Sequence, residues 1–275
     1  MRARAFIGTL SLVCGCEVGA LSSPSLVSDL RVLAILTATP EVPGGSAPRV
    51  TAVTLAPGGT APDFVRWRIC AEPDVADPRD CPASPLGTDL GVAPAVDLPP
   101  LVARGGVTGY LVLATACAGV APSLDPASGR AICANGAVAA EAFRRVIVRD
   151  DPDRNHNPGV DAWELARGAE TVAVEGDVVT LPRCASSACG AWTVRVRPAI
   201  NASEVTPEGR ESLVASFHAT DGEFDRARDG ADPGVVRPLT AQWTVRDGAA
   251  GVRIAFVLRD LRGGAAAGRA AVAWR

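Results

Sequence analysis

The chain contains no lysine: its 27 strongly basic residues are all arginine, set against 30 acidic ones. With so much alanine present, this reads as the codon bias of GC-rich DNA, and no role follows from arginine at any one site. The formal net charge is only −3, which removes the electrostatic case for nucleic acid or anionic lipid as a whole-chain partner. Histidine is nearly absent (His156 and His218), and aromatic residues make up 4% of the chain. No G-x-S-x-G, H-E-x-x-H, P-loop or G-x-G-x-x-G occurs, so the common catalytic templates are missing. No long amphipathic helical pattern is visible, and beyond the N-terminus no apolar run approaches membrane-spanning length. A content of 48% hydrophobic and 21% charged residues is nonetheless that of a chain with a folded core.

The N-terminus carries the sharpest signal. Arg2 and Arg4 precede an apolar run, Ala5 to Val13, and the sequence continues V-C-G-C-E. A basic start, a short apolar stretch and a small residue before the cut make a secretory signal peptide over residues 1–15. The segment resembles the lipobox of bacterial lipoproteins, with Cys16 as the first mature residue and the lipid acceptor. Cys14 is the poorer acceptor, because Val13 before it is not small. That resemblance implies a lipid-anchored protein of the bacterial cell envelope. Glu17 in place of an aspartate points to the outer membrane. Residues 16–28 then read as a tether.

Six cysteines remain: Cys70, Cys81, Cys117, Cys133, Cys184 and Cys189. An even number in an exported chain argues for disulfides, with the connectivity left open by sequence alone. They fall into three local couples, so the expected bonds are Cys70–Cys81, Cys117–Cys133 and Cys184–Cys189. A zinc site is the weaker reading, since no C-x-x-C occurs and neither histidine lies near a cysteine in sequence.

Short strand-like segments separated by Gly and Pro fill the rest. Val65 to Cys70 alternates with Val65, Trp67 and Ile69 on one face and Arg66 and Arg68 on the other. Leu30 to Leu36, Arg49 to Leu55, Tyr110 to Cys117 and Phe143 to Arg149 complete a first unit, and Glu72 to Pro100 reads as a long irregular loop. A second unit contains Thr171 to Val174, Trp192 to Arg197, Ser212 to Ala219, Gln242 to Val245, Val252 to Arg259 and Ala270 to Trp274. Ala162 to Arg167 reads as a short helical turn. Many short strands with turn signals predict an all-β fold of two Ig-like β-sandwiches, 29–150 and 171–275, joined by a linker over 151–170. Trp67, Trp192, Trp243 and Trp274 are expected in the cores, with Trp163 the exposed exception.

Several of these segments together resemble uncharacterised predicted lipoproteins of myxobacteria and related bacteria. They are P-S-L-V-S-D-L-R-V-L-A-I (Pro24 to Ile35), W-R-I-C (Trp67 to Cys70), R-V-I-V-R-D with Asn157-Pro158 following, and V-L-R-D-L-R-G-G (Val257 to Gly264). The resemblance spans nearly all of the mature chain and implies address and architecture, with no activity attached. The closing R-D-L-R-G-G is similar to the last hairpin of bacterial Ig-like repeats, where the glycine pair turns the chain.

Two acidic segments are the candidate chemistry. Asp151, Asp153, Asn155 and Asn157 alternate like the first oxygen ligands of a calcium loop, although glycine is missing at the sixth position and Ala162 stands at the twelfth. Asp221 to Asp232 offers five carboxylates interleaved with Arg226 and Arg228, the pattern of a solvated, self-paired hairpin. The expected function is a non-enzymatic binding or scaffolding module that needs no cofactor. Its partners are the membrane, through the anchor, and an envelope protein or surface glycan, with no nucleic acid. A calcium-dependent carbohydrate or adhesion module, and a hydrolase using His156 or His218, are the alternatives.

Overall fold

In Ala140–Arg149 the even-numbered Arg144, Val146 and Val148 are buried while Phe143 and Arg145 are exposed. Side chains that alternate faces this way bury one side of a sheet and wet the other. Repeated along the chain, the pattern gives an all-β protein, seen here in a computed structural model that describes residues 24–59, 64–72, 81, 87–103, 107–150, 152–183, 190–206, 209–260 and 262–275.

The first sandwich comprises β1 (Arg31–Thr37), β2 (Glu41–Val42), β3 (Arg49–Leu55), β4 (Val65–Ala71), β5 (Thr88–Ala93), β6 (Ala95–Asp97), β7 (Val107–Ala116), β8 (Pro122–Leu124), β9 (Ala131–Cys133) and β10 (Ala140–Arg149). Its sheets are β1-β3-β6 and β2-β10-β7-β4-β5, with β8 and β9 forming a small hairpin. Trp67 fills the centre, fully buried, with its indole N–H donated to the Ala93 carbonyl at 2.9 Å. Two disulfides close the periphery. Cys70–Cys81 joins the end of β4 to residue 81, and Cys117–Cys133 ties the end of β7 to β9. Cys184 and Cys189 lie outside the described residues. Cys117–Cys133 closes a loop with a sequence separation of 16, so replacing both with alanine is expected to lower stability by about 3 kcal/mol in urea unfolding.

The second sandwich comprises β11 (Val160–Arg167), β12 (Glu170–Ala173), β13 (Val178–Leu181), β14 (Trp192–Pro198), β15 (Val205–Thr206), β16 (Gly209–Arg210), β17 (Leu213–Ala219), β18 (Glu223–Phe224), β19 (Arg228–Ala231), β20 (Leu239–Thr244), β21 (Arg253–Arg259) and β22 (Ala265–Trp274). Its sheets are β12-β11-β14-β20-β18 and β13-β22-β21-β17-β19. The two sandwiches repeat one plan. In each, an early short strand runs parallel to the last strand: β2 beside β10, and β13 beside β22. The first strand, β1 or β11, pairs instead in the opposite sheet with β3 or β14. Such a two-sheet plan is Ig-like. Trp192, Trp243 and Phe217 anchor the second core, and Trp274 packs partly buried against it.

Three local readings change. Residues 160–167 form β11, not a helical turn. D-A-W-E-L-A-R contains good helix formers, but pairing with β14 and burial of Leu165 and Ala166 override that weak propensity. The stretch between the sandwiches is thereby shortened to 150–159. Trp163 is buried, not exposed, edge-on to Phe256 with ring centroids 5.1 Å apart. Gly268 admits this pair, since a Cβ there would come within 2.5 Å of the Phe256 ring. Finally, the segment expected as an irregular loop contains β5 and β6. β5 is a sheet edge with a register break opposite Trp67 and Arg68, beside Gly91 at φ +85°, so its sequence lacks a clean period of two.

The sandwiches are packed together. Leu33 and Leu55 of the first sandwich contact Val27 and Ala255, while Ala34 and Val53 contact Val257. β21 is therefore buried on both faces, with Ile254, Phe256 and Leu258 toward its own core. The N-terminal segment joins in. Val27 donates its N–H to the Ala219 carbonyl at 2.8 Å, and Ala219 donates to the Ser25 carbonyl at 2.9 Å. Residues 25–27, expected as tether, are thus seated on the end of β17.

Candidate functional site

The connection at 150–159 is built of polar residues because it threads a polar joint. Asn155, with no exposed surface, donates its backbone N–H to Glu41 at 2.9 Å and its side-chain amide to Asp260 at 3.3 Å. Asn157 donates to the carbonyls of Thr37 (2.6 Å) and Ala38 (3.0 Å), and its own oxygen accepts the Ala265 N–H at 3.0 Å. Asp260 closes the β21–β22 turn by accepting the N–H groups of Arg262 (2.9 Å) and Gly264 (2.7 Å). The expected glycine-pair turn is here: Gly263 has φ +97°, and a Cβ on Gly264 would lie 2.0 Å from the Asp260 carboxylate. The Arg262 guanidinium stands 3.5–3.6 Å from Glu41, Glu204 and Glu211. Burial, then the Asp260 charge, pushes the Glu211 carboxyl above its ordinary range.

Of the alternating oxygen residues, Asn155 and Asn157 therefore do not converge on one centre. Asn155 and Asn157 face different partners, and Asp153 is exposed with a partner in the protein. Asp151 and Cys16 lie outside the described residues. Among the described residues no group of three or more His, Cys, Asp or Glu is arranged to hold a metal ion. In the Asp221–Asp232 segment, Arg237 grips Asp229 through two 2.8 Å bonds and holds its carboxyl below the ordinary value. His156 is exposed, 2.7 Å from Glu204. His218 lies on β17, away from it in sequence and in partners.

Above the joint, the two sandwiches enclose a cleft of about 620 Å³. Leu33, Ile35 and Phe143 give it an apolar floor and rim, with Phe143 57% exposed. Arg144 and Arg259 form its polar wall. Arg144 donates to the carbonyls of Ile35 and Gly263, both at 2.7 Å, and its Nε has no partner among the described residues. Arg259 donates to the Leu33 carbonyl at 2.8 Å. Leu33 and Ile35 project these carbonyls from the unpaired edge of β1, so the two arginines cap an otherwise open strand. Burial brings the Arg144 pKa down to about 10; Asp260 opposes that shift and Arg259 adds to it. Arg259 is lowered by burial and by Arg228. Both stay charged at neutral pH. Their hydrogen bonds go to neutral carbonyls, so both guanidinium charges stay beside the apolar floor, in a cleft that Glu141 and Asp260 also line.

No family model matches this chain, and no curated protein does. Solved structures similar to parts of it include a β-glucuronidase from Parabacteroides merdae, at 10% identity and TM-score 0.20, covering 86% of this chain and 24% of the other. The human desmocollin-1 ectodomain matches at 11% and 0.23, covering 90% and 42%. Dimeric latent PorU from Porphyromonas gingivalis matches at 12% and 0.21, covering 94% and 21%. The chain thus spans less than half of each of these proteins. At such scores they carry no argument, and the fold rests on the chain's own sheets.

Arg144 and Arg259 escaped the sequence reading. For Arg144 a signal existed: it shares the inward phase of Val146 and Val148, so an arginine stands where the period of two calls for an apolar residue. For β21 the signal was Ala255 and Val257, apolar on the face they share with Arg253 and Arg259.

Proposed function

We propose that this protein is a non-enzymatic binding or scaffolding module of the bacterial envelope, anchored through Cys16, whose ligand enters the cleft between the sandwiches. The carrying observation is the cleft itself, since its walls come from both sandwiches and are held by the Arg144 bonds to Ile35 and Gly263. An apolar floor with a few convergent polar groups is the usual make-up of a ligand site. A partner with an apolar face and an acidic or carbonyl group fits it, as an envelope protein segment or an acidic glycan would present.

The histidines support a binding role over a hydrolytic one. His218 has its pKa lowered to about 4, first by burial and then by Arg259, Arg31 and Arg228, which makes it a poor general base near neutrality. His156 is exposed and engaged by Glu204.

Two measurements test this reading. Non-reduced mass spectrometry of the protein from its own envelope is expected to find acyl mass on Cys16; a mature chain starting elsewhere removes the anchor. A photo-crosslinking residue at Phe143 is expected to capture an envelope component in cells that the same residue at Ile200, 84% exposed, does not. Equal labelling from both positions removes the cleft as the ligand site.

A further inference from the structure

A second groove, of about 490 Å³, lies where the N-terminal segment, β1 and the second sandwich meet. It shares Leu33, Arg259 and Asp260 with the cleft described above, and adds Pro24, Arg31, His218 and Arg228. Three guanidinium groups thus converge from three strands: Arg31 from β1, Arg228 from β19 and Arg259 from β21. The lining carboxylate, Asp260, is already engaged by Arg262, Gly264 and Asn155. Arg31 donates to the Pro24 carbonyl at 2.9 Å and Arg259 to that of Leu33, while the Arg228 side chain is exposed with no hydrogen bond or ion pair among the described residues. Burial first, and then these same three arginines, lower the His218 pKa, so all three lie near one imidazole of the groove.

The position of the groove says what reaches it. Pro24 lines it and is eight residues from Cys16, a span of at most about 29 Å when fully extended. On the anchored reading of Cys16, on which this inference rests, the groove stands within that distance of the lipid headgroups. Guanidinium groups match phosphate oxygens in charge and geometry. The net charge of −3 gives no general attraction to a membrane, so the effect is local to this groove.

We propose that Arg31, Arg228 and Arg259 form a phosphate site that engages an anionic lipid headgroup of the membrane carrying the anchor. Such a contact would orient the protein, groove toward the bilayer, and leave the Phe143 side of the inter-sandwich cleft open to a partner.

The test uses the chain from residue 16 with Cys16→Ser, so that no acyl chain contributes, in sedimentation with phosphatidylcholine vesicles with and without phosphatidylglycerol. Binding should favour the anionic vesicles and fall with added inorganic phosphate. Arg228→Glu, a two-unit charge change at an exposed side chain, should weaken it by about tenfold or more, whereas Arg228→Lys retains most of it; both should melt as the parent does. Equal binding to the two vesicle types, or an Arg228→Glu variant that binds like the parent, overturns the proposal. So does competition for inorganic phosphate without vesicle preference, which would assign the site to a soluble phosphate compound. The anchor is judged separately: acylated native protein whose Cys16→Ser form ignores phosphatidylglycerol sinks the groove alone. Vesicle binding by a chain that is never acylated sinks the anchor alone.

Discussion

Asp260→Ala is expected to lose about 3–5 kcal/mol and to separate the unfolding of the two sandwiches. The carboxylate is 5% exposed and accepts from the backbone of Arg262 and Gly264 and from the Asn155 amide. Deleting it leaves three donors without their acceptor, two of them in buried bonds, where each orphaned donor costs about 1–3 kcal/mol. It also removes the negative charge that partly offsets the buried Arg144, so a cation is left behind with Arg259 beside it. Removing one member of a buried charged set costs about 3–5 kcal/mol. The damage falls on the joint, not on either core, so urea unfolding followed by tryptophan fluorescence should change from one transition to two. Asp260→Asn keeps the shape and one acceptor and should lose less. A single transition within about 0.5 kcal/mol of the parent in Asp260→Ala would show that the apolar contacts of Leu33, Val53 and Val257 hold the sandwiches by themselves.

The second large effect is acid sensitivity centred on His218. Its folded pKa is about 4 against an ordinary 6.5, lowered by burial and then by Arg259, Arg31 and Arg228. The sign follows from proton uptake. As pH falls below 6.5 the unfolded chain binds a proton that the folded protein refuses, so stability is lost down to about pH 4 and no further from this group. At about 1.4 kcal/mol per unit, the loss is about 3 kcal/mol. Glu211 acts in the opposite direction. Its raised carboxyl pKa makes the folded state take up a proton first, and stability rises on acidification from that raised value toward 4.5. The clean comparison is therefore His218→Gln against the parent, with urea midpoints measured at pH 7.5, 6, 5 and about 4. The parent should lose stability relative to the variant across this range, and parallel curves would contradict the half-buried, neutral imidazole. Phosphate-bearing vesicles add a linked readout: an anion among the three arginines should raise the folded His218 pKa, so that in the parent alone the loss still begins near 6.5 but is smaller and ends at a higher pH.

The class of fold was legible in the chain because its causes are local. A period of two in Val65–Ala71 or Ala140–Arg149 is a property of neighbouring residues, as are the Gly and Pro turns between strands. The couples Cys70–Cys81 and Cys117–Cys133 are close in sequence, and each begins at the end of a strand already visible. Where local signals competed, reading failed for stated reasons. D-A-W-E-L-A-R carries helix propensity that pairing with β14 overrides, and β5 hides its strand character behind a break at Gly91.

The joint and both grooves belong to the tertiary structure alone. Glu41 meets Asn155 across 114 residues, Asn155 meets Asp260 across 105, and Arg259 meets Leu33 across 226. No local periodicity encodes such partners. The segment Asp151 to Asn157 reads like half a calcium loop when its oxygens are counted along the chain, because spacing alone does not say which way they point. Once folded, Asn155 and Asn157 turn to separate partners that bind one sandwich to the other. Composition and pattern determined that this chain makes β-sandwiches. The packing of β1 and β3 on β21 and β22 decided that they form one body and placed arginines in the clefts between them, since only that packing buries Arg144 and Arg259 beside the open edge of β1.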